Sequence, residues 1–73
     1  MVLMYRQRVD SSAVVSVGYD RKRRVLEVEV EGGAVYQYLD VPAREYFALV
    51  SAESVGRYYN QRIKADYEFR KVD

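Results

Sequence analysis

The sequence predicts a small α+β domain, in which a three-stranded antiparallel β-meander is followed by two short helices packed on one face of the sheet. Two observations indicate this class. The first half of the chain holds three runs rich in Val and Tyr that are separated by turn residues, as in strands. The second half repeats apolar residues at helical spacing. A length of 73 residues is that of one domain, so we assign residues 1–73 to a single domain.

The three predicted strands share one buried face. They span residues 13–19, 25–30 and 34–39. The middle strand alternates strictly between apolar and acidic residues, so the sheet is predicted to be covered on one side only. A four-residue loop over 21–24 joins the first two strands and pairs Val15 with Val30. In this register six apolar side chains lie on one face, namely Val15, Val17, Tyr19, Leu26, Val28 and Val30.

The length of the second hairpin loop decides where Tyr36 and Tyr38 lie. A two-residue glycine turn would put both rings on the acidic face and bury the Gln37 amide without a partner. A three-residue loop over 31–33, with Gly33 in the left-handed conformation, puts both rings on the apolar face. We predict this second register, with both rings mainly in the core and both hydroxyls at its rim.

The first helix is predicted over residues 42–51. Asp40 is a candidate cap, and Pro42 in the first turn loses no hydrogen bond because that N–H is unpaired in any helix. Three residues at helical spacing are predicted to face the sheet: Tyr46, Leu49 and Val50. Arg44 and Glu45 are predicted to face water.

A second helix is predicted from a Ser54 cap to about Lys64. Val55, Tyr59 and Ile63 fall at i, i+4 and i+8 and so share its buried face. The alternating stretch 67–70 is compatible with a short final strand. Residues 1–8 and 68–73 are otherwise expected to be tails of the domain.

Composition excludes most catalytic chemistries. The chain has no Cys and no His, so it has no thiolate nucleophile, no triad base and no ordinary zinc ligand set. Glu27, Glu29 and Glu31 line one strand face, but like charges at this spacing more often mark a solvated sheet face than a catalytic pair. We expect no catalytic residue, no metal site and no cofactor, and therefore no enzyme.

Charge and hydropathy indicate a cytoplasmic binding protein. The apolar start at residues 1–5 is too short for a signal-peptide core, and no apolar run approaches the roughly 20 residues that cross a bilayer. We therefore expect no targeting segment and no membrane contact. Formal charge is +4 over residues 1–24, −5 over 25–56 and +2 over 57–73, which sum to the net +1. Both ends of the chain are basic and the middle is acidic.

An ordered set of short motifs resembles the KTSC domain, a family named from a lysyl-tRNA synthetase C-terminal domain. The set runs from residue 9 to about residue 67, without an obvious gap. It consists of Val9-Asp10-Ser11-Ser12-Ala13, Val17-Gly18-Tyr19-Asp20, Leu26-Glu27-Val28, Gly33, Tyr36-Gln37-Tyr38, Val41-Pro42, Ala52, Ser54, Gly56, Tyr58-Tyr59-Asn60 and Ile63-Lys64. The family also occurs as small stand-alone bacterial proteins. The resemblance implies RNA binding through the attachment to a synthetase, and it brings no catalytic residues. Phe47, Val55 and Glu45 depart from the family's pattern.

Two basic clusters are candidates for RNA contact. Four consecutive cations at a hairpin tip can reach phosphates and release counterions, and the second helix mixes cations with an aromatic side chain, as single-strand binders do. The candidate nucleic-acid-binding residues are Arg21, Lys22, Arg23, Arg24, Arg57, Tyr58, Arg62 and Lys64. Solvated turns and amphipathic helices give similar patterns. The alternative function is a protein–protein adaptor, or a self-associating domain, that uses the acidic sheet face or the apolar residues Phe47 and Val55.

Overall fold

The computed structural model describes residues 6–72. Within that range the strands are β1 (Gln7–Arg8), β2 (Val14–Asp20), β3 (Val25–Val30), β4 (Val35–Tyr38) and β5 (Phe69–Val72). The helices are α1 (Ala43–Ser51), α2 (Val55–Tyr58) and α3 (Lys64–Asp66), and a π-helical turn at Tyr59–Ile63 joins α2 to α3 in one continuous second helix. The predicted absence of a targeting segment concerns residues 1–5, which lie outside the described range.

The five strands form one antiparallel sheet in the order β1-β2-β3-β4-β5. The predicted three-stranded meander is its centre, and the final strand is present as β5. The tails that we expected at both ends of the chain therefore contribute the two edge strands. Two residues are too few to show an alternating pattern, which is why β1 gave no signal in the sequence. No helix within residues 6–72 has the length and apolar character to cross a membrane.

A β-bulge near the start of β2 corrects the predicted register. Tyr19 pairs with Leu26 and Val17 with Val28 as predicted, but Val14 takes the place opposite Val30 that we had assigned to Val15. The bulge adds one residue to β2, so each residue before it points to the sheet face opposite to the one predicted. Val14 is fully buried as a result, and Val15 is half-buried.

The second hairpin has the predicted register. The Val30 N–H donates to the Ala34 carbonyl at 2.9 Å, which leaves a three-residue loop with Gly33 at a φ of +98°. Tyr38 is 2% exposed and Tyr36 is half-buried, both on the apolar face. The hydroxyl of Tyr38 differs from the prediction, because it lies inside the core against another tyrosine instead of at the rim.

Replacing Gly33 by Ala is expected to lower the free energy of unfolding by about 1 kcal/mol, because a side chain disfavours a positive φ. A Cβ at this position would meet no atom within 4 Å, so the effect is one of backbone conformation alone. Urea unfolding measures it, with Glu31→Ala in the same loop as the control. Equal stabilities of Gly33→Ala and the unchanged protein would contradict the assignment.

The two helices cover the apolar face as predicted. Leu49 is fully buried, and the Tyr46 ring stacks on Tyr19 with 5.2 Å between ring centroids. The start of α1 differs from the prediction: Pro42 occupies the cap position without a side-chain hydrogen bond, and Asp40 is in the left-handed region at a φ of 60°. Asp40 therefore lies two residues before the cap position of the helix.

The second helix buries the predicted stripe and contains an unpredicted irregularity. Val55, Tyr59 and Ile63 are buried, and the Ser54 hydroxyl accepts the Arg57 N–H at 3.2 Å as the expected cap. The π turn widens the helix, and the Lys64 N–H reaches the Tyr59 carbonyl five residues earlier. Such turns are uncommon and occur frequently at functional sites.

Candidate nucleic-acid interface

The turn at the tip of the first hairpin is formed by backbone N–H groups that donate to the Asp20 side chain. One carboxylate oxygen of Asp20 accepts the N–H groups of Lys22 at 3.0 Å and Arg23 at 3.2 Å. Arg24 closes the turn at a φ of 58°. Because the turn is built by Asp20 and the backbone, all four cations of the tip have exposed side chains.

A shallow basic cavity of about 290 Å³ lies beside this tip. Arg21, Lys22 and Arg23 line it together with two residues of other strands, Gln37 and Arg70. The Arg70 Nε donates to the side-chain amide oxygen of Gln37, Oε1, at 2.9 Å. Arg70 was missed in the sequence analysis; its position in the alternating stretch 67–70 was the available signal, but the pairing of β5 with β4 was needed to place it.

A second cavity, here named the aromatic cavity, lies between the second helix and the sheet. Its volume is about 470 Å³. It is lined by Ala13, Val30, Glu31, Tyr36, Tyr38, Tyr59, Asn60, Lys64 and Phe69. The Phe69 side chain is 56% exposed and meets the Tyr36 ring edge to face, with 5.5 Å between centroids. An exposed aromatic ring beside an ammonium group is the combination that binds unpaired bases.

A pair of buried tyrosines lies among the residues of this cavity. The hydroxyls of Tyr38 and Tyr59 are 2.6 Å apart, and the rings meet at 83°. Burial raises the pKa of Tyr38, and burial together with the bond to Tyr38 raises the pKa of Tyr59. Both phenols therefore stay neutral and keep their protons at physiological pH.

The π turn positions the polar groups of the aromatic cavity. In a helix of normal pitch, residues five apart point in different directions, whereas a π turn brings them onto the same side. Tyr59 and Lys64 both line the cavity, and the Lys64 Nζ lies 6.0 Å from the centroid of the Tyr59 ring. Asn60 follows Tyr59 in the turn and is exposed at the cavity.

The predicted helix residues are divided between two surfaces. Lys64 lines the aromatic cavity, whereas the Arg62 guanidinium lies over the Tyr58 ring, 6.0 Å from its centroid. Arg57 is exposed. Arg21, Lys22 and Arg23 of the hairpin line the basic cavity instead, and Arg24 is exposed at the tip. The predicted RNA-contact residues therefore do not form one continuous patch, because those that line a cavity are divided between two cavities that share no lining residue within the described range.

Tyr58 is held by a carboxylate that we expected to face water. Glu45 is half-buried and accepts hydrogen bonds from the hydroxyls of Tyr58 and Tyr67, the latter at 2.8 Å. Burial works against its charge, but the two hydroxyls and nearby Arg62 outweigh burial, and the pKa of Glu45 is lowered. Burial and the bond to Glu45 raise the pKa of Tyr67 to about 12. This Glu45 clamp joins α1 to the second helix and to the segment before β5.

The acidic sheet face is not the free surface that we expected. Glu27 is only 5% exposed and accepts hydrogen bonds from Arg6 and, at 2.8 Å, from the Gln37 amide. Glu29 is half-buried and lies 3.8 Å from Arg6. Arg6 directly precedes the two-residue strand β1, which is too short to be predicted from a pattern, so its pairing with Glu27 depended on the tertiary structure. Val55, the other proposed contact point, is buried, while Phe47 is 54% exposed.

The fold and these surfaces define a small α+β domain with two helices on one sheet face, a basic hairpin and an aromatic cavity. The model of the KTSC domain family matches residues 10–67, and the chain belongs to this family. A solved structure, that of a KTSC domain protein from Yersinia pestis, is 43% identical, with a TM-score of 0.90 over 97% of this chain and 100% of that chain.

Two relatives by sequence were also found. An uncharacterized protein of Stutzerimonas stutzeri is 41% identical over 71 residues, which cover 96% of this chain and all of that protein. A lysine–tRNA ligase of Nostoc punctiforme is 30% identical over 63 residues, which cover 86% of this chain and 11% of the ligase. The second likeness concerns a small part of the ligase.

Proposed function

We propose that this KTSC domain is a non-catalytic module of the cytoplasm that binds single-stranded RNA. The observation that carries the proposal is the aromatic cavity, where the exposed ring of Phe69 and the ammonium group of Lys64 lie together. Bases stack on aromatic rings whatever their sequence, and cations beside the rings contact the phosphates. A duplex keeps its bases stacked inside, so a cavity of this kind favours unpaired RNA.

The basic cavity supplies a second contact for the same strand. Its cations are exposed, and Arg70 lies on β5, the strand that also carries Phe69. Phe69 and Arg70 are neighbours on β5, so their side chains lie on opposite faces of the sheet. An RNA chain whose base occupies the aromatic cavity would therefore cross the β5 edge to bring its phosphates to the cations of the basic cavity. The likeness to part of a lysine–tRNA ligase supports RNA as the ligand class.

Replacing Phe69 by Ala is expected to weaken binding of a fluorescent single-stranded RNA about tenfold, because base stacking contributes about 1–3 kcal/mol. Lys64→Gln is also expected to weaken binding, because a phosphate contact is lost. Fluorescence anisotropy measures the affinity. Phe47→Ala and Arg8→Gln are matched controls, since Phe47 is equally exposed on α1 and Arg8 is exposed on β1. Equal losses in the controls, or no RNA binding by the unchanged protein, would overturn the proposal.

Replacing all four hairpin cations by Ser tests the phosphate contacts. We expect weaker binding of every RNA sequence and a flatter dependence of log affinity on log salt, because each lost phosphate contact reduces the slope by about 0.7 for single strands. An unchanged slope would exclude the hairpin from the interface.

The adaptor function retains one supporting observation, which is the exposed Phe47 ring beside Tyr46 on α1, with 5.4 Å between centroids. An apolar contact through this ring would barely respond to salt. A partner bound through Phe47 would therefore be lost in Phe47→Ala and retained at high salt, which is opposite to the pattern expected for RNA.

A further inference from the structure

Three polar groups of the aromatic cavity have hydrogen-bonding capacity that the fold does not use. In the Tyr38–Tyr59 pair only one proton lies between the two oxygens, so the second proton has no acceptor among residues 6–72. The side chains of Glu31 and Asn60 likewise make no hydrogen bond within those residues, and both are exposed at the cavity. The cavity thus offers a phenolic donor, a carboxylate acceptor and an amide.

We infer that the aromatic cavity binds an unpaired guanine base of RNA. This inference rests on the proposed RNA-binding function and names the base. Guanine alone among the four bases presents two adjacent N–H donors, at N1 and at the exocyclic amine, beside a carbonyl acceptor. A carboxylate accepts both donors at once, as Glu31 is available to do, and the free tyrosine proton suits the carbonyl.

The other bases match this set of groups less well. Uracil has a single ring N–H, and its two carbonyls would meet the negative charge of Glu31. Adenine has no carbonyl to accept the tyrosine proton, and cytosine has one amine beside an unprotonated ring nitrogen. Because hydrogen-bonding groups that lose water and find no partner on binding cost free energy, the mismatch produces specificity as well as lower affinity. Lys64 and Phe69 contact phosphate and ring without regard to the base.

The test uses labelled pentanucleotides UUXUU, in which X is G, A, C or U, with affinity measured by fluorescence anisotropy. We expect the G oligonucleotide to bind about tenfold more tightly than the others, which corresponds to about 1.4 kcal/mol. Inosine at X lacks the exocyclic amine and is expected to fall between guanine and adenine. Glu31→Gln is expected to reduce the preference for G to threefold or less, while Glu53→Gln, an exposed carboxylate of the linker between the helices, leaves it unchanged.

The double variant Tyr38→Phe/Tyr59→Phe removes both hydroxyls and keeps both rings, and it is expected to weaken G binding severalfold with less effect on U. Circular dichroism establishes that the variant is folded. Glu31→Gln tests guanine binding independently of this double variant, since Glu31 is exposed and its replacement leaves the core intact. Equal affinity for all four oligonucleotides, with binding still lost in Phe69→Ala, would overturn the guanine inference and leave the RNA function standing. A preference for G that survives in Glu31→Gln would also overturn it. If the unchanged protein binds none of the oligonucleotides, both the guanine inference and the RNA-binding function are wrong.

Discussion

Replacing Arg6 by Met is expected to lower the free energy of unfolding by about 2 kcal/mol at pH 7, less than for a fully buried ion pair because Arg6 itself is partly exposed. The Glu27 side chain is 7% exposed, and Arg6 is its cationic partner. Without the guanidinium, the Gln37 amide is the one donor that the carboxylate keeps among residues 6–72. A buried charge with one neutral partner is strongly unfavourable.

A double variant separates this cost from lost packing. In Arg6→Met/Glu27→Gln the buried charge is gone and the amide oxygen can still accept from Gln37, so we expect most of the stability to return. Arg8→Met is the control, because Arg8 is an exposed residue of the same strand. Urea unfolding of the unchanged protein, Arg6→Met, Glu27→Gln and the double variant gives the coupling energy. If the double variant is less stable than Arg6→Met, the charge of Glu27 is not the cause.

Replacing Glu45 by Ala is expected to lower the free energy of unfolding by about 2 kcal/mol at pH 7, since two hydrogen bonds to a charged acceptor are lost. The pKa of Glu45 is lowered in the folded state, so its contribution is complete above the unfolded value of about 4.3 and is lost as pH falls through the folded value. We therefore expect the stability difference between the two proteins to shrink between pH 5 and pH 3.

The control for this clamp removes the donors instead of the acceptor. Tyr58→Phe/Tyr67→Phe retains both rings. We expect it to lose the part of the free energy of unfolding that depends on the charged form of Glu45, because the carboxylate then has no phenol to favour that form. Glu53→Ala, an exposed carboxylate, tests for a general effect of charge. A stability difference for Glu45→Ala that stays constant down to pH 3 would show that the clamp does not depend on the carboxylate charge.

The candidate site was predictable only in part. The exposed hairpin cations and Lys64 were identified because runs of cations and cation–aromatic mixtures are visible in the linear sequence. Phe69 and Arg70 were not identified as site residues, since their roles depend on β5 pairing with β4 more than 30 residues earlier. The hydroxyl proton of the Tyr38–Tyr59 pair that has no acceptor among residues 6–72 could not be predicted either, because the pair forms by a contact between β4 and the second helix.

Short-range patterns in the sequence were sufficient to predict the local features of this protein. Alternation fixed which face of β3 is buried, the loop length and Gly33 fixed the second hairpin, and the spacing of Val55, Tyr59 and Ile63 fixed the buried side of the second helix. These features depend on neighbours within a few residues, where strand and helix periods act. Only the tertiary structure decided the bulge that buries Val14, the π turn and the two edge strands. It also decided the fate of the acidic residues, because whether a carboxylate faces water or a buried partner depends on which distant cation or hydroxyl the folded chain brings beside it.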